Sequence, residues 1–357
     1  MPDITLYFAY PGDLDTPSGG YHYDRRLIAA LERRGTRVRQ ISLPHCSLGM
    51  PAELLAAVHS RFCELPDGAV AIIDGLAFGL LGSVAEIHAK RLRLIALCHH
   101  PLALETGLSG EQQRALRQAE QHALQCASAT IVTSQHTRQI LVEQYGVPSA
   151  SITVALPGTD KARIASCEGE PPRLLTVASL TRRKAHDVLI AALGQLRQLP
   201  WQARFVGSNE FDPVWVTRLR DQVLAQKLGD RIDFAGEVCD VSLEYQAADL
   251  FVLPSRFEGY GMAFAEALAS GLPVIAARAG AVPEVVPESA GMLVPPDDVG
   301  ALAAALRHVL TDKNRYAQLR AGARDLAAGL PGWDDCAYRV EHAVSQLVNS
   351  RKEGGRL

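Results

Sequence analysis

The chain has 357 residues, 48% of them hydrophobic and 21% charged, which suits an ordinary soluble globular protein and is long enough for two cores rather than one. A formal net charge of −3 gives no electrostatic footing for nucleic acid. Seven scattered cysteines without a Cys-x-x-Cys pair argue against a disulfide framework and for free thiols in a reducing compartment.

The start, Met1 to Thr5, has neither the basic region nor the apolar core of a signal peptide. The longest apolar stretch, around 69–82, is broken by Asp74 and falls short of the ~18 apolar residues of a spanning helix. A cytoplasmic location is expected. Ile4 to Tyr10 reads as a buried strand, followed by a loop that ends in Ser18-Gly19-Gly20. Tyr21 to Arg34 reads as an amphipathic helix with Leu27, Ile28, Ala30 and Leu31 inward, and Val38 to Leu43 as a second strand. Strand, glycine loop, helix, strand is a parallel α/β opening. It lacks Gly-x-Gly-x-x-Gly, which counts against a dehydrogenase. Asp13-Leu14-Asp15 has the spacing of a metal-binding acidic pair, but in a Pro/Gly loop it reads as solvated turn chemistry.

Further strands are predicted at 69–74 and 92–98. The second runs into His99-His100-Pro101, and side chains at the C-terminal end of such a strand lie where open α/β sheets bind ligands. Glu105 is near enough in sequence to join them. A helix over 111–126, a strand over 129–134, a helix over 135–145 and a short strand from Ile152 lead into Pro157-Gly158-Thr159-Asp160. The polar stretch 161–172 reads as a linker between domains.

A second α/β alternation starts with a strand at 173–177. The loop that follows, Ala178-Ser179-Leu180-Thr181-Arg182-Arg183-Lys184-Ala185, places three adjacent cations before a helix at 187–196. Such a run is either a solvated basic loop or a diphosphate site. Strands follow at 203–206 and 232–234, with a short helix at 243–248. The run Leu250 to Pro254 is a buried strand that opens onto Arg256-Phe257-Glu258-Gly259-Tyr260-Gly261-Met262-Ala263-Phe264-Ala265-Glu266. Gly259 and Gly261 let backbone approach a ligand, and free amides at the start of the helix over 262–270 favour an anion. Glu258 and Glu266 then stand on either side of that anion, each able to accept bonds from hydroxyls, an arrangement with the shape of a nucleotide sugar. Either carboxylate alone would read as a solvated surface residue. Strands at 274–277 and 291–294, helices at 299–310 and 313–328, and a last helix from Trp333 to about Val348 complete the chain, with 351–357 expected to be disordered.

Glu258-Gly259-Tyr260-Gly261, with Glu266 after seven intervening residues, resembles the motif of the family-4 glycosyltransferases, retaining enzymes of the GT-B fold. The resemblance spans nearly the whole chain. It implies two Rossmann-like α/β domains facing each other across a cleft, at 1–165 (acceptor side) and 170–332 (donor side), with a helix over 333–350 crossing back to the first. In that family the first Glu contacts the donor sugar, the backbone of Gly259, Tyr260, Gly261 and Met262 meets sugar and diphosphate, and the second Glu holds the ribose. Lys184 matches the phosphate-contacting Lys. Two departures stand out. Ser179 occupies the position where most relatives carry Arg, leaving Arg182 or Arg183 to supply that charge, and Ala185 replaces a usual Gly. Gly19 and Gly20 match the loop that approaches phosphates or acceptor. His99 matches the His aimed at the sugar, with His100 and Glu105 as acceptor-side candidates.

The implied function is metal-independent transfer of a sugar from a nucleotide-sugar donor to a sugar, lipid or other hydroxyl acceptor, with no cofactor. Alternatives are an epimerase- or phosphorylase-like enzyme of the same fold, or a non-catalytic nucleotide-sugar-binding subunit. Arg25, Arg26, Arg33, Arg34, Arg37 and Arg39, with Lys90, Arg91 and Arg93, could form a basic face for peripheral membrane contact at the inner surface. A solvated face salted with Asp24 and Glu32 is the other reading.

Overall fold

The structure, a computed structural model, describes residues 4–354, with side chains as far as Asn349. The readings of the extreme start and of the tail beyond Gly354 fall outside the described residues. The chain divides into two compact units, residues 1–158 with 331–357, and residues 159–330.

The first unit comprises β1 (Thr5–Pro11), α1 (Gly19–Arg33), β2 (Arg37–Leu43), α2 (Ala52–Cys63), β3 (Val70–Asp74), α3 (Gly75–Phe78), α4 (Gly82–His88), β4 (Arg93–Cys98), α5 (Gly110–Gln125), β5 (Ala129–Val132), α6 (Gln135–Tyr145) and β6 (Ile152–Val154). All its strands are parallel, in the order β2-β1-β3-β4-β5-β6. Helices on both faces explain why β1, β3 and β4 are near-continuous buried apolar runs rather than alternating ones. The strand order reverses between β1 and β3, so their C-terminal ends flank a crevice.

The second unit comprises β7 (Arg173–Val177), α7 (His186–Gly194), β8 (Gln202–Val206), α8 (Pro213–Ala225), β9 (Ile232–Gly236), α9 (Val241–Gln246), β10 (Leu250–Leu253), α10 (Met262–Ala269), β11 (Val274–Ala277), α11 (Val282–Val285), β12 (Gly291–Val294), α12 (Val299–Thr311) and α13 (Lys313–Ala327). Its parallel sheet runs β12-β11-β10-β7-β8-β9, with Leu174 beside Leu250. This is the doubly wound order with its switch point between β7 and β10. Trp201, Phe205, Leu250 and Leu306 lie in its main core.

The last helix, α14 (Trp333–Gly354), belongs to the first unit. Tyr23 of α1 stacks edge-on against Trp333 at 5.6 Å, and the Cys336 thiol meets its hydroxyl at 3.2 Å. A Cβ on Gly158 would stand 2.2 Å from the Trp333 nitrogen, so the chain can pass α14 here only as glycine. The stretch expected as a linker is fastened to the second unit. Ala165 is buried and its N–H donates to the Ser270 carbonyl at 2.8 Å, while the Gly169 N–H donates to Asp249 at 2.9 Å. Among the described residues no helix is long and apolar enough to cross a membrane.

Candidate functional site

In the second unit, the loops that follow β7 and β10 leave the sheet on either side of the switch point. They are the Ser179–Ala185 loop and the Glu258 loop, and their side chains meet. Glu258 is 4% exposed, yet it is surrounded by donors. Lys184 Nζ lies 2.7 Å from its carboxylate, Arg183 Nη1 3.3 Å, and the Ser255 hydroxyl donates at 2.6 Å. Burial pushes this carboxyl up, but the Lys184 and Arg183 cations and the bonds from Lys184 and Ser255 outweigh it and hold Glu258 below the ordinary carboxylate range. The site is therefore a buried anion beneath two cations rather than a neutral acid.

Backbone clamps fix this carboxylate. The Ala281 N–H donates to the Glu258 carbonyl at 2.9 Å, and a Cβ on Gly280 (φ +58°) would sit 2.2 Å from that same oxygen. Gly261 (φ +95°) turns the chain into α10 in a region that side chains rarely adopt. Gly259, Tyr260, Gly261 and Met262 thereby lead from Glu258 into the first turn of α10. At the far end of that turn Glu266 accepts from the buried Tyr245 hydroxyl at 2.8 Å.

The three cations of the basic run part company. Arg183 turns to Glu258 and donates to the Phe257 carbonyl at 3.0 Å. Arg182 goes elsewhere, to Asp212 at 3.2 Å and over the Trp215 ring at 4.7 Å. Of the two candidates for the charge missing at Ser179, it is Arg183 that faces the carboxylate. Arg256, unremarked in the sequence, locks the two loops together through a paired contact to Asp187 (2.7 and 3.1 Å) and a bond to Asp297 at 2.8 Å. Ala185 sits at φ +53° with no exposure, so the chain makes the expected glycine turn with an alanine.

In the first unit, His99 ends β4 between two buried carboxylates, with its Nε2 3.1 Å from Asp74 and 3.2 Å from Asp24. Burial alone would push the imidazole down. The bonds to Asp24 and Asp74, with their charges, raise it to about 10, so it is an imidazolium at neutral pH. Burial and the Asp74 charge push Asp24 up. Gly19 and Gly20 are not loop residues: they form the first turn of α1, behind Ser18 as its N-cap. A Cβ on Gly20 would come 3.4 Å from the His99 ring. His100 Nε2 lies 3.5 Å from Glu105. Both line a cavity of about 360 Å³ at the β1/β3 switch point, bounded also by Tyr21 and Leu80.

One reading of the basic cluster around α1 is corrected. Asp24 does not salt a solvated face; it is fully buried against His99. Its spacing to Leu27, Ile28 and Leu31 is the i, i+3, i+4, i+7 pattern of one helix face, which was the available signal. Several cations of the basic cluster have partners within the chain, Arg33 and Arg34 while staying exposed. Arg33 pairs with Asp334, Arg34 with Glu341, Arg26 lies over Trp333, and Arg91 pairs with Asp67. Asp13 does form turn chemistry, its carboxylate accepting from the Asp15 N–H at 2.9 Å.

Comparison with known proteins finds relatives for both units. The model of the glycosyl transferases group 1 matches residues 171–312, and that of glycosyltransferase family 4 matches residues 69–163. D-inositol 3-phosphate glycosyltransferase of Kineococcus radiotolerans is 30% identical over 265 residues, 65% of this chain and 60% of that protein. The chain spans about three fifths of the length of the curated relatives it matches. Among solved structures, sucrose-phosphate synthase from Thermosynechococcus elongatus superposes with a TM-score of 0.82 at 24% identity, over 98% of this chain and 100% of that one. Anabaena HepE in complex with UDP-glucose gives 0.77 at 21% identity, over 95% and 99%. The two-sheet architecture is the GT-B fold.

Proposed function

Because the chain belongs to the family-4, group 1 glycosyltransferases, we propose that it is a hexosyltransferase that moves a sugar from a nucleotide-sugar donor to a hydroxyl acceptor with retention of anomeric configuration. The observation that carries the reading is the cluster of Glu258, Lys184 and Arg183 at the switch point of the second sheet, next to the start of α10. A diphosphate placed there receives the α10 amides and the two cations, which neutralise the charge that develops as it leaves. Freed from part of its contact with Lys184, Glu258 accepts from donor-sugar hydroxyls, while Glu266, held by Tyr245, accepts from the ribose. Side chains here position and stabilise charge, and none has to become a covalent nucleophile.

A bound complex of HepE, with UDP-glucose, supports a nucleotide-sugar donor for this fold. His99, charged and held by two carboxylates, suits hydrogen-bond donation rather than proton abstraction. The charge supplied by Lys184, Arg183 and the helix amides makes the proposed transfer independent of a divalent metal. Membrane contact stays outside the proposal. Of the basic residues around α1, Arg33, Arg34, Arg37 and Arg39 stay exposed, the first two paired with Asp334 and Glu341, and each cation near an anionic surface contributes only about 1 kcal/mol.

The test is nucleotide release from UDP-, GDP- and ADP-sugars, with chelator present, with and without a lipid and saccharide extract as acceptor. Acceptor-dependent release from one donor in chelator is the expected result. Tight nucleotide binding with no release under any acceptor would replace this reading with a non-catalytic binder.

A further inference from the structure

The cavity in the first unit has a chemistry at odds with a phosphorylated acceptor. It lies where β1 and β3 diverge, the place at which an open α/β sheet takes its ligand. Its volume of about 360 Å³ is at the small end of the range for compact organic ligands. Leu48, Leu76, Leu80, Leu102, Leu108 and Leu116 supply much of the wall. Two of these are unusually exposed for leucine, Leu48 at 44% and Leu76 at 42%, and both open onto the same cavity. Scattered exposed leucines need no explanation, but two on one concave, leucine-rich wall leave apolar surface for a ligand to cover. No Lys or Arg lines the cavity among the described residues, whereas Glu105 contributes a carboxylate whose side chain is 43% exposed. Anion recognition relies on guanidinium, ammonium or helix amides; the wall offers neither kind of cation, and its first-turn amides, those of Tyr21, Leu76 and Gln112, already donate to Ser18, Asp74 and Ser109. His100, Gln112 and His45 remain as directional partners for neutral hydroxyls.

We infer that this cavity holds the acceptor, and that the acceptor is an uncharged hydroxyl compound with a compact apolar body, such as an aryl or short alkyl alcohol, rather than a sugar or cyclitol phosphate. The inference rests on the transferase reading above, and it separates this chain from the relative whose name carries an inositol phosphate.

The experiment uses the full chain and a direct binding measurement, saturation-transfer NMR with calorimetry, so that it does not depend on turnover. The probes are 2-phenylethanol and n-hexanol against D-inositol 3-phosphate and glucose 6-phosphate. Saturable binding of the alcohols and none of the phosphates is expected. The Leu76→Lys variant changes an exposed rim residue, so the fold tolerates it. It should weaken alcohol binding about tenfold, the loss of one apolar contact surface, and should admit the phosphates. Binding of the phosphates by the unaltered chain, or alcohol binding indifferent to Leu76→Lys, overturns the inference. The nucleotide-release assay is then run with the same probes. Release driven by a phosphate alone overturns the acceptor class and leaves the transferase reading standing. Alcohol binding that responds to Leu76→Lys without nucleotide release from any donor leaves the cavity's ligand chemistry standing and removes the transferase reading.

Discussion

Replacing Glu258 by Gln keeps its shape and removes its charge. In the folded protein that carboxylate is nearly inaccessible and takes bonds from Lys184 at 2.7 Å, Arg183 at 3.3 Å and Ser255 at 2.6 Å. Breaking a buried ion pair from one side costs roughly 3–5 kcal/mol, because the other charge is left behind. Here the two stranded cations keep 18% and 17% side-chain exposure, so water recovers part of the loss and the lower end, about 3 kcal/mol, is expected. For a unit of this size that lowers its melting temperature by roughly 6–12 °C. Trp201 and Trp215 lie in the second unit and Trp333 in the first, so tryptophan fluorescence during urea unfolding, compared with that of a Trp333→Phe background, reports the affected unit. The pH dependence gives an internal control. A carboxyl held below its ordinary value stabilises the fold above that value, and the contribution is lost as pH falls through the depressed one. The gap between Glu258→Gln and the unaltered protein should therefore be full at pH 7 and narrow progressively as pH falls below about 4.5. A variant as stable as its parent at pH 7, or a gap that does not narrow as the pH is lowered below that point, would refute the charge argument.

Four further outcomes follow from the same geometry. Lys184→Ala and Glu258→Ala should each lose most transfer activity while circular dichroism shows a folded protein, and near-normal turnover in either would sink the assigned roles. Tyr245→Phe removes the bond that orients Glu266, so binding of whichever nucleoside diphosphate the release assay identifies should weaken about fivefold while pyrophosphate binding does not change. In NMR titrations the His99 ring should stay protonated between pH 5 and 8, whereas an Asp24→Asn, Asp74→Asn double variant should release its proton within or below that window; a parent ring that titrates near 6.5 speaks against the cluster. His186 is buried without a partner for either ring nitrogen, and burial, with help from Lys184, pushes it down to about 3. The unfolded chain therefore takes up a proton that the folded one refuses, and stability drains as pH falls from about 6.5 towards 3. His186→Leu should flatten that slope with little loss at pH 7, which a denaturant series across pH measures.

The parts of this protein that were legible in its sequence are those in which one local rule suffices. Strands buried on both faces, such as β3 and β10, stand out as unbroken apolar runs, and the Glu258–Glu266 motif announces its loop and helix. Five helices, α2, α3, α4, α8 and α11, were not read; three are short, and the two long ones each bury only a thin stripe, Val58 and Phe62 in α2 and Val216, Leu219 and Val223 in α8. Side-chain partners were less legible still. Nothing in Arg182-Arg183-Lys184 says which cation turns inward; Trp215 and Asp212 decide it by offering Arg182 a better place. Asp24 and Asp74 meet His99 only because α1, β3 and β4 converge, and no spacing along the chain encodes that convergence.

The first unit is built from both ends of the chain, and this sets an order of events during synthesis. Tyr23 emerges from the ribosome early, but Trp333 and Cys336, which pack against it, come only after residues 159–330 have been made. Residues 23 and 333 are 310 positions apart, so at roughly 5–20 residues per second that delay is on the order of fifteen to sixty seconds. During it the second unit can complete its own sheet, while α1 waits with an apolar flank uncovered. A nascent chain released early would carry a finished unit 159–330 beside a first unit that lacks its last helix, so assembly of the His99 region is tied to translation having run through α14.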